Sequence, residues 1–350
     1  MRYIIVIFLT ITFINAAEFS HKPYDKTKSC KECHDMGEGK KFVHAPVRSG
    51  ACTSCHSINK SKSRNLLRAV SVSKMCTLCH YKKANIIRAD KHVHPPVKKD
   101  CTGCHDPHAG DFRFRLRADS KKDLCLTCHI EKKEYITSVK NQHGAIFAKD
   151  GGCISCHDPH GTGQPKMIKA KSIKDLCIKC HNKELKREED GKKLLNVAKH
   201  LKDNPDWHGP IQWGDCALCH NPHGSDNHRM LKKPFPEKFY TSFDTKKYIC
   251  FECHETEKFT KQYTTTATNF RNGDKNIHFV HVNREKGITC RACHDFHATK
   301  DYPHHIAQKT SFGISQLPLR YIETPTGGSC APACHIRRGY DRKKAIKNLR

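Results

Sequence analysis

The residues whose types and spacing point to chemistry are paired thiols followed at once by an imidazole. In Cys153-Ile154-Ser155-Cys156-His157 two cysteines sit three positions apart and a histidine follows directly. This is the spacing of a c-type haem attachment site. The two thiols add to the vinyl groups of one porphyrin as thioethers, and the imidazole comes to lie under the iron as its proximal ligand. The same run recurs as Cys30/Cys33/His34, Cys52/Cys55/His56, Cys76/Cys79/His80, Cys101/Cys104/His105 and Cys125/Cys128/His129. It continues as Cys177/Cys180/His181, Cys216/Cys219/His220, Cys250/Cys253/His254 and Cys290/Cys293/His294. An eleventh copy, Cys330/Cys334/His335, carries one extra spacer residue. These pairs use all 22 cysteines.

Two other chemistries use paired cysteines. Structural zinc needs two such pairs, or one pair and two histidines, for each ion. A disulfide framework would suit an even cysteine count in an exported chain. Neither requires a histidine after every second cysteine. Haem does, so the expected cofactor is haem c, covalently attached at eleven sites.

A second set of histidines has its own regularity. His21, His44, His94, His143, His208 and His281 lie seven to ten residues before a motif, and several open a His-x-Pro turn. His108, His160, His223 and His297 close a turn just after a motif, as in Asp106-Pro107-His108, Asp158-Pro159-His160, Asn221-Pro222-His223 and Asp295-Phe296-His297. These ten are expected as distal iron ligands. An iron with histidine on both faces is low-spin and six-coordinate, suited to electron transfer rather than to substrate binding. The eleventh distal ligand is expected from the adjacent pair His304 and His305, with His92, His200, His228 and His278 read as surface histidines. Met36, Met75, Met167 and Met230 follow no evident pattern, which speaks against methionine ligation.

The elements that must position these groups are short. First-cysteine intervals run 22, 24, 25, 24, 28, 24, 39, 34, 40 and 40, an internal repeat. The unit is a doublet: Cys52/Cys76, Cys101/Cys125, Cys153/Cys177, Cys216/Cys250 and Cys290/Cys330, with Cys30 as a leader. Turn chemistry places the first motif of each doublet in a loop. Starts such as Ser120-Lys121-Lys122-Asp123 and Ser172-Ile173-Lys174-Asp175 place the second on a helix. The fold class expected is mostly irregular, with short α-helices wrapped around a covalent haem array and little or no sheet.

Hydrophobic residues make up 37% of the chain, cysteines included, little for a core of this length. The porphyrins are expected to supply the core instead, leaving the apoprotein largely unfolded. The formal charge of +28 would ordinarily suggest nucleic acid or an anionic surface. Two propionates on each haem offset about 22 of those charges, and no interleaved stacking aromatics appear, so nucleic acid is not an expected partner. Residues 1–16 have the form of a secretory signal peptide, and no cysteine follows them to carry a lipid. Residues 17–189 are expected as compact modules holding haems 1–7, and residues 190–350 as looser modules holding haems 8–11. The basic tail from Arg337 is expected to fray.

The doublets with their Pro-His turns resemble the doubled Cys-x-x-Cys-His domains of multihaem c-type cytochromes. The repeat Cys-x-x-Cys-His-Asn/Asp-Pro-His also resembles that of the periplasmic decahaem cytochromes of porin–cytochrome conduits, from which this chain departs by its eleventh site. The resemblance implies an electron carrier, not an enzyme, located in the periplasm, within an outer-membrane conduit or outside the cell. Redox proteins are the implied partners, with an outer-membrane porin or self-association into a filament as further options. A multihaem reductase of a small nitrogen or sulfur oxyanion, with one open iron face, is the enzymatic alternative.

Overall fold

A computed structural model describes residues 20–23, 25–59, 65–118, 122–148, 151–187 and 190–349. The leader at 1–16, the helix start at Ser120-Lys121 and the spacing change at 188–189 lie outside them. Among the described residues the chain is mostly loop, punctuated by short helices and small antiparallel sheets. No described helix is long and apolar enough to cross a membrane.

The cysteine motifs fold in two ways. Single 3-10 turns form over Cys30–Glu32, Cys52–Ser54, Cys153–Ser155, Cys216–Leu218 and Cys290–Ala292, as suits three-residue segments. The second motifs at Cys76, Cys125 and Cys177 end α-helices Val72–Thr77, Asp123–Leu126 and Ile173–Ile178. Ser172 caps the last of these by accepting from the Asp175 N–H, as its sequence suggested. Cys250 departs from that pattern, lying in a 3-10 segment, Ile249–Glu252.

Sheet is more frequent than the sequence suggested. Phe42–Val43 pairs with Ala109–Gly110, His92–Val93 with Gly161–Thr162, and Asp206–Trp207 with Ala298–Thr299. Asn141 and Ser225 form the equivalent single bridge. Each ladder joins the residues before an upstream histidine of one module to those after the turn of the next. Two-residue ladders are too short for the period-two alternation by which strands are recognised. At the far end a hairpin, Lys309–Phe312 with Ser315–Pro318, precedes a three-stranded sheet of Ile322–Thr324, Gly327–Cys330 and Arg338–Asp341. This sheet holds the tail in place. Asn272 Oδ1 accepts from the Asp341 and Ile346 N–H groups at 3.1 and 2.7 Å, and Asn348 Oδ1 from Gly339 N–H at 2.7 Å. The expectation of a frayed tail is thereby corrected.

Backbone clustering separates two compact units. One comprises the described residues up to Cys128 with Gly152–Lys169; the other comprises His129–Gly151 with the described residues from Ala170 on. Apolar cores are small. In the second unit Leu201, Ile211 and Ala298 cluster under Val197 and Trp207.

Asn276 is fully buried in the second unit and caps the Ile277–Val282 helix. Its amide donates to the Lys258 and Lys261 carbonyls at 2.9 and 2.7 Å, and its Oδ1 accepts from the Phe279 N–H at 3.3 Å. Asn276→Ala is expected to lower stability by about 2 kcal/mol through the lost cap and the unsatisfied carbonyls. A denaturation midpoint equal to wild type would contradict this.

Candidate functional site

The motif backbone presents its imidazole in a repeated way. The N–H of the motif histidine donates to the first cysteine's carbonyl at 3.0 Å in His34, His56, His80, His105, His157 and His294, at 3.1 Å in His181 and His220, and at 2.9 Å in His254. The expanded motif differs. Cys330 ends a strand instead of opening a 3-10 turn, and His335 N–H donates to Pro332 O at 3.2 Å. The extra spacer therefore adapts the motif to a strand exit.

In the first-type motifs the ring is then aimed from outside. Nδ1 of His56 bonds Asn65 O at 2.8 Å, His105 bonds Phe114 O at 2.9 Å and His157 bonds Lys166 O at 2.8 Å. In the other unit His220 bonds Arg229 O at 3.0 Å and His294 bonds His304 O at 3.0 Å. The acceptor carbonyls belong to a tight turn with positive φ. That conformation falls on Leu66, Phe114-Arg115, Lys166-Met167, Arg229-Met230 and His304-His305. Met167 and Met230, unpatterned in the sequence, thus share one structural position with Arg115 and His305. Such a contact fixes the tautomer and directs Nε2 towards a metal.

The turn histidines are set by an Asx turn. Asp106 Oδ1 accepts from the His108 and Ala109 N–H groups at 2.9 and 3.2 Å. Asp158 does so for His160 at 2.9 Å, Asn221 for His223 at 3.1 Å and Asp295 for His297 at 2.8 Å. Proline is dispensable, since Asp295-Phe296-His297 makes the same bond. Gly224 after His223 has φ +107, and a Cβ there would come within 2.8 Å of the Val139 side chain.

The upstream histidines dock on these turns. His44, His94 and His208 donate their N–H to the carbonyls of His108, His160 and His297 at 2.8, 3.2 and 3.0 Å. Nδ1 of His44 and of His143 contacts Pro107 O and Pro222 O, each at 2.9 Å. Burial pushes the imidazoles of His44, His108, His143, His160, His208 and His281 below their usual range.

These constraints bring imidazoles together in facing pairs. Ring centroids are 6.0 Å apart in His44–His80 and His56–His108, and 6.2 Å apart in His105–His160. They are 6.4 Å apart in His143–His181 and His220–His297, and 6.1 Å apart in His208–His254. In all six pairs the ring planes lie within 20° of parallel. His281–His335 is 6.4 Å apart at 33°, and His21–His34 is 5.9 Å apart at 75°. This is too far for ring stacking. It fits one metal held between two nitrogens at about 2 Å each, which puts centroids about 6 Å apart. The donor set therefore fits an iron porphyrin with two axial histidines.

The remaining histidines are placed as follows. His94 opens the Pro95–Lys99 helix and His129 the Ile130–Ser138 helix. His305 lies edge-on to His208 at 5.4 Å, with Asp206 at 3.8 Å. His92 is in a strand, and His228 faces Glu237 at 3.5 Å. His200 is half-buried and reaches Asp295 at 3.3 Å, an ion-pair contact without hydrogen-bond alignment. Asp295 raises its imidazole against the opposing effect of burial. His278 is half-buried among Phe259, Phe270 and Thr268, and this crowding pushes its imidazole down to about 3.

The thiols are arranged in succession. None of the 22 cysteines is in a disulfide, and no three metal-binding side chains converge among the described residues as a zinc site requires. First cysteines of neighbouring motifs touch in Cys30–Cys52, Cys76–Cys101 and Cys125–Cys153. Second cysteines approach in the alternate steps, Cys55–Cys79 and Cys104–Cys128. The other unit repeats the alternation with Cys177–Cys216, Cys219–Cys253, Cys250–Cys290 and Cys293–Cys334. Within each unit the motifs therefore adjoin in chain order.

Burial of the thiols is uneven. Cys33, Cys79, Cys128, Cys180, Cys253 and Cys334 are exposed, whereas the first cysteine of each of these motifs is half-buried. Cys33 and Cys180 end the motif turn. Their N–H groups close it by donating to Cys30 O at 3.3 Å and Cys177 O at 3.2 Å. Cys30 and Cys177, which those bonds hold, pack against Cys52 and Cys216 of the next motif. In these six motifs the second thiol is thus more open to solvent than the first. An exposed thiol beside a half-buried one suits two-point attachment to a flat, bulky group, and the core-poor composition leaves few side chains to cover it otherwise.

Comparison with known proteins bears on this arrangement. The doubled CXXCH motif family matches residues 44–85, 94–134, 143–186 and 208–259, together just over half of the chain. A curated relative, the multiheme cytochrome MtrA of Shewanella baltica (strain OS185), is 27% identical over 107 residues. That match covers 30% of this chain and 24% of the relative.

Asp295→Ala would strip the His297 and Ala298 N–H groups of their acceptor and leave His200 without its carboxylate. A loss of about 2 kcal/mol is expected, and Asp295→Asn, which keeps the turn acceptor, should recover most of it. Equal denaturation midpoints for the two variants would count against the turn.

Proposed function

The chain belongs to the doubled CXXCH family, the multihaem c-type cytochromes, and from that premise we propose that it carries electrons along eleven haems with two axial histidines each. The observation that carries this reading is the set of near-parallel imidazole pairs, 6.0 to 6.4 Å apart, on an unbroken succession of neighbouring thiol pairs within each unit.

Each cysteine pair would hold one porphyrin, and the histidine following it one iron face. His44, His143, His208 and His281 would complete the second motifs ending in His80, His181, His254 and His335. The turn histidines His108, His160 and His297 would complete the first motifs ending in His56, His105 and His220. His94 and His223 stand at the same sequence offsets in their own modules. His21 would complete the leader, whose haem would bond Cys30 and the exposed Cys33.

The haem supplies reversible one-electron chemistry when bound. The chain's own residues do the rest. Carbonyls such as Phe114 O and Lys166 O hold Nδ1 protonated and Nε2 free for the metal. The Asx turns fix the opposing ring, and double histidine ligation leaves no face open to substrate, which favours a carrier over a reductase. The thiol succession favours transfer in chain order, and the 24-residue interval from Cys153 to Cys177 equals the interval within other doublets.

Haem attachment to reduced thiols supports a location outside the cytoplasm, and so does the apolar run near the N-terminus. Its partners on this reading are redox proteins at either end. The resemblance of the repeat to that of periplasmic decahaem cytochromes favours a periplasmic carrier that can serve an outer-membrane conduit, and filament assembly is the alternative packing of the same array.

The intact mass of the purified protein should equal the chain plus eleven haems, and the oxidised protein should be wholly low-spin by electron paramagnetic resonance. His297→Ala should leave the mass increment unchanged and turn one haem high-spin. A high-spin haem in the wild type that binds cyanide or nitrite would point to the reductase instead.

A further inference from the structure

The first-type motif turns leave one carbonyl without a backbone donor. At Cys52, Cys101 and Cys153 the first cysteine's carbonyl takes both closing N–H groups, those of the second cysteine and of the histidine. The next carbonyl is orphaned, as carbonyls at the end of a helix are. In these turns it belongs to Thr53, Thr102 and Ile154, and a cation sixteen residues after the first cysteine meets it. Arg68 donates to Thr53 O at 3.0 Å, Arg117 to Thr102 O at 2.5 Å and Lys169 to Ile154 O at 2.5 Å. The N–H groups of the same three residues donate to Cys55 O, Cys104 O and Cys156 O at 2.9, 3.0 and 3.0 Å. Lys232 stands at the same offset from Cys216 and makes the same backbone bond, to Cys219 O at 2.8 Å.

The Cys290 turn departs from this pattern in a compensated way. The residue whose N–H meets Cys293 O, at 2.8 Å, is Ala307. The orphan carbonyl here is that of Arg291, and it accepts from the neutral Thr310 Oγ1 at 3.2 Å. The charge missing at Ala307 is present inside the motif as Arg291. The spacers of the other four first-type motifs, Thr53-Ser54, Thr102-Gly103, Ile154-Ser155 and Ala217-Leu218, are all neutral. A hydroxyl therefore suffices to cap the carbonyl, and capping alone does not explain the cations. What the five motifs share is one positive residue on the attachment loop or bonded to it.

We infer that Arg68, Arg117, Lys169, Lys232 and Arg291 are positioning residues that tune the first-type haems, each raising the potential of the haem whose attachment loop it serves. The inference rests on the reading of the chain as a haem-based electron carrier. Reduction of ferric iron removes one positive charge, so a fixed cation nearby favours the ferrous state. Arginine and lysine differ in hydrogen-bond geometry but carry the same charge, and both occur at this position. Arg68, Arg117, Lys169 and Lys232 are exposed, so dissolved salt should screen their effect.

The test uses the full-length holoprotein, with haems counted by intact mass and potentials read by spectroelectrochemical titration. Arg68→Gln, which keeps a donor and loses the charge, should retain every haem and move one one-electron component to lower potential. Arg68→Lys should titrate as the wild type does. The difference between the two should narrow as salt is raised. Arg291→Ala should also lower one component, and adding Ala307→Lys to it should restore that component. Should Arg68→Gln or Arg291→Ala fail to fold, Lys169→Gln against Lys169→Arg repeats the comparison in another module. Arg117 is a poorer choice, because Asp106 lies 3.6 Å from it and shares its charge. An unshifted Arg68→Gln protein, an equal shift in Arg68→Lys, a difference indifferent to salt, a lost haem, or no recovery with Ala307→Lys overturns the assignment while leaving the array intact. A wild type with fewer than eleven haems, or with a high-spin one, removes the array itself.

Discussion

The constraint on which the rest depends is that two imidazoles from distant parts of the chain must face each other across about 6 Å. One imidazole of each pair is fixed by its neighbouring cysteines, so its partner must be carried to it. Every regular feature of the backbone serves that delivery. The two-residue ladders pin upstream histidines to the turns of the next module, the Asx turns fix the turn histidines, and the left-handed dipeptides aim the first-type rings. With few apolar side chains available, hydrogen bonds of this kind take over part of the role of the usual core.

Attachment chemistry was legible in the sequence because covalent geometry fixes it locally. Two thiols and an imidazole must lie within five residues, and the same necessity shows in the x-Pro-His turns. Pairing was not legible, since His56 and His108 are 52 positions apart and nothing local records which ring meets which. The unequal burial within a thiol pair, as in Cys177 and Cys180, was hidden too, because it depends on which neighbouring motif covers the first sulfur. The short ladders were hidden because two residues have no period. The position of His304 and His305 is shared with Arg229 and Met230, and it serves His294 through a backbone carbonyl, a role that no local signal marks.

The expanded motif illustrates how the pattern bends at its end. Cys330 leaves a strand whose partner, Arg338–Asp341, belongs to the basic tail. The tail is therefore a structural part of the expanded motif. Buried hydroxyls of Tyr321 and Tyr340, 3.1 Å apart, tie the same sheet together.

The one-module offset has a consequence for biogenesis. A polypeptide is made from its N-terminus, so the cysteines before His56 are available for haem addition well before His108 exists. On the proposed reading, a porphyrin loaded on the motif of His56, His105 or His220 would wait, half-ligated, for the following repeat. Maturation would then be a relay in which one repeat finishes its predecessor, and a deletion that removed a repeat would leave the iron before it with one face unfilled.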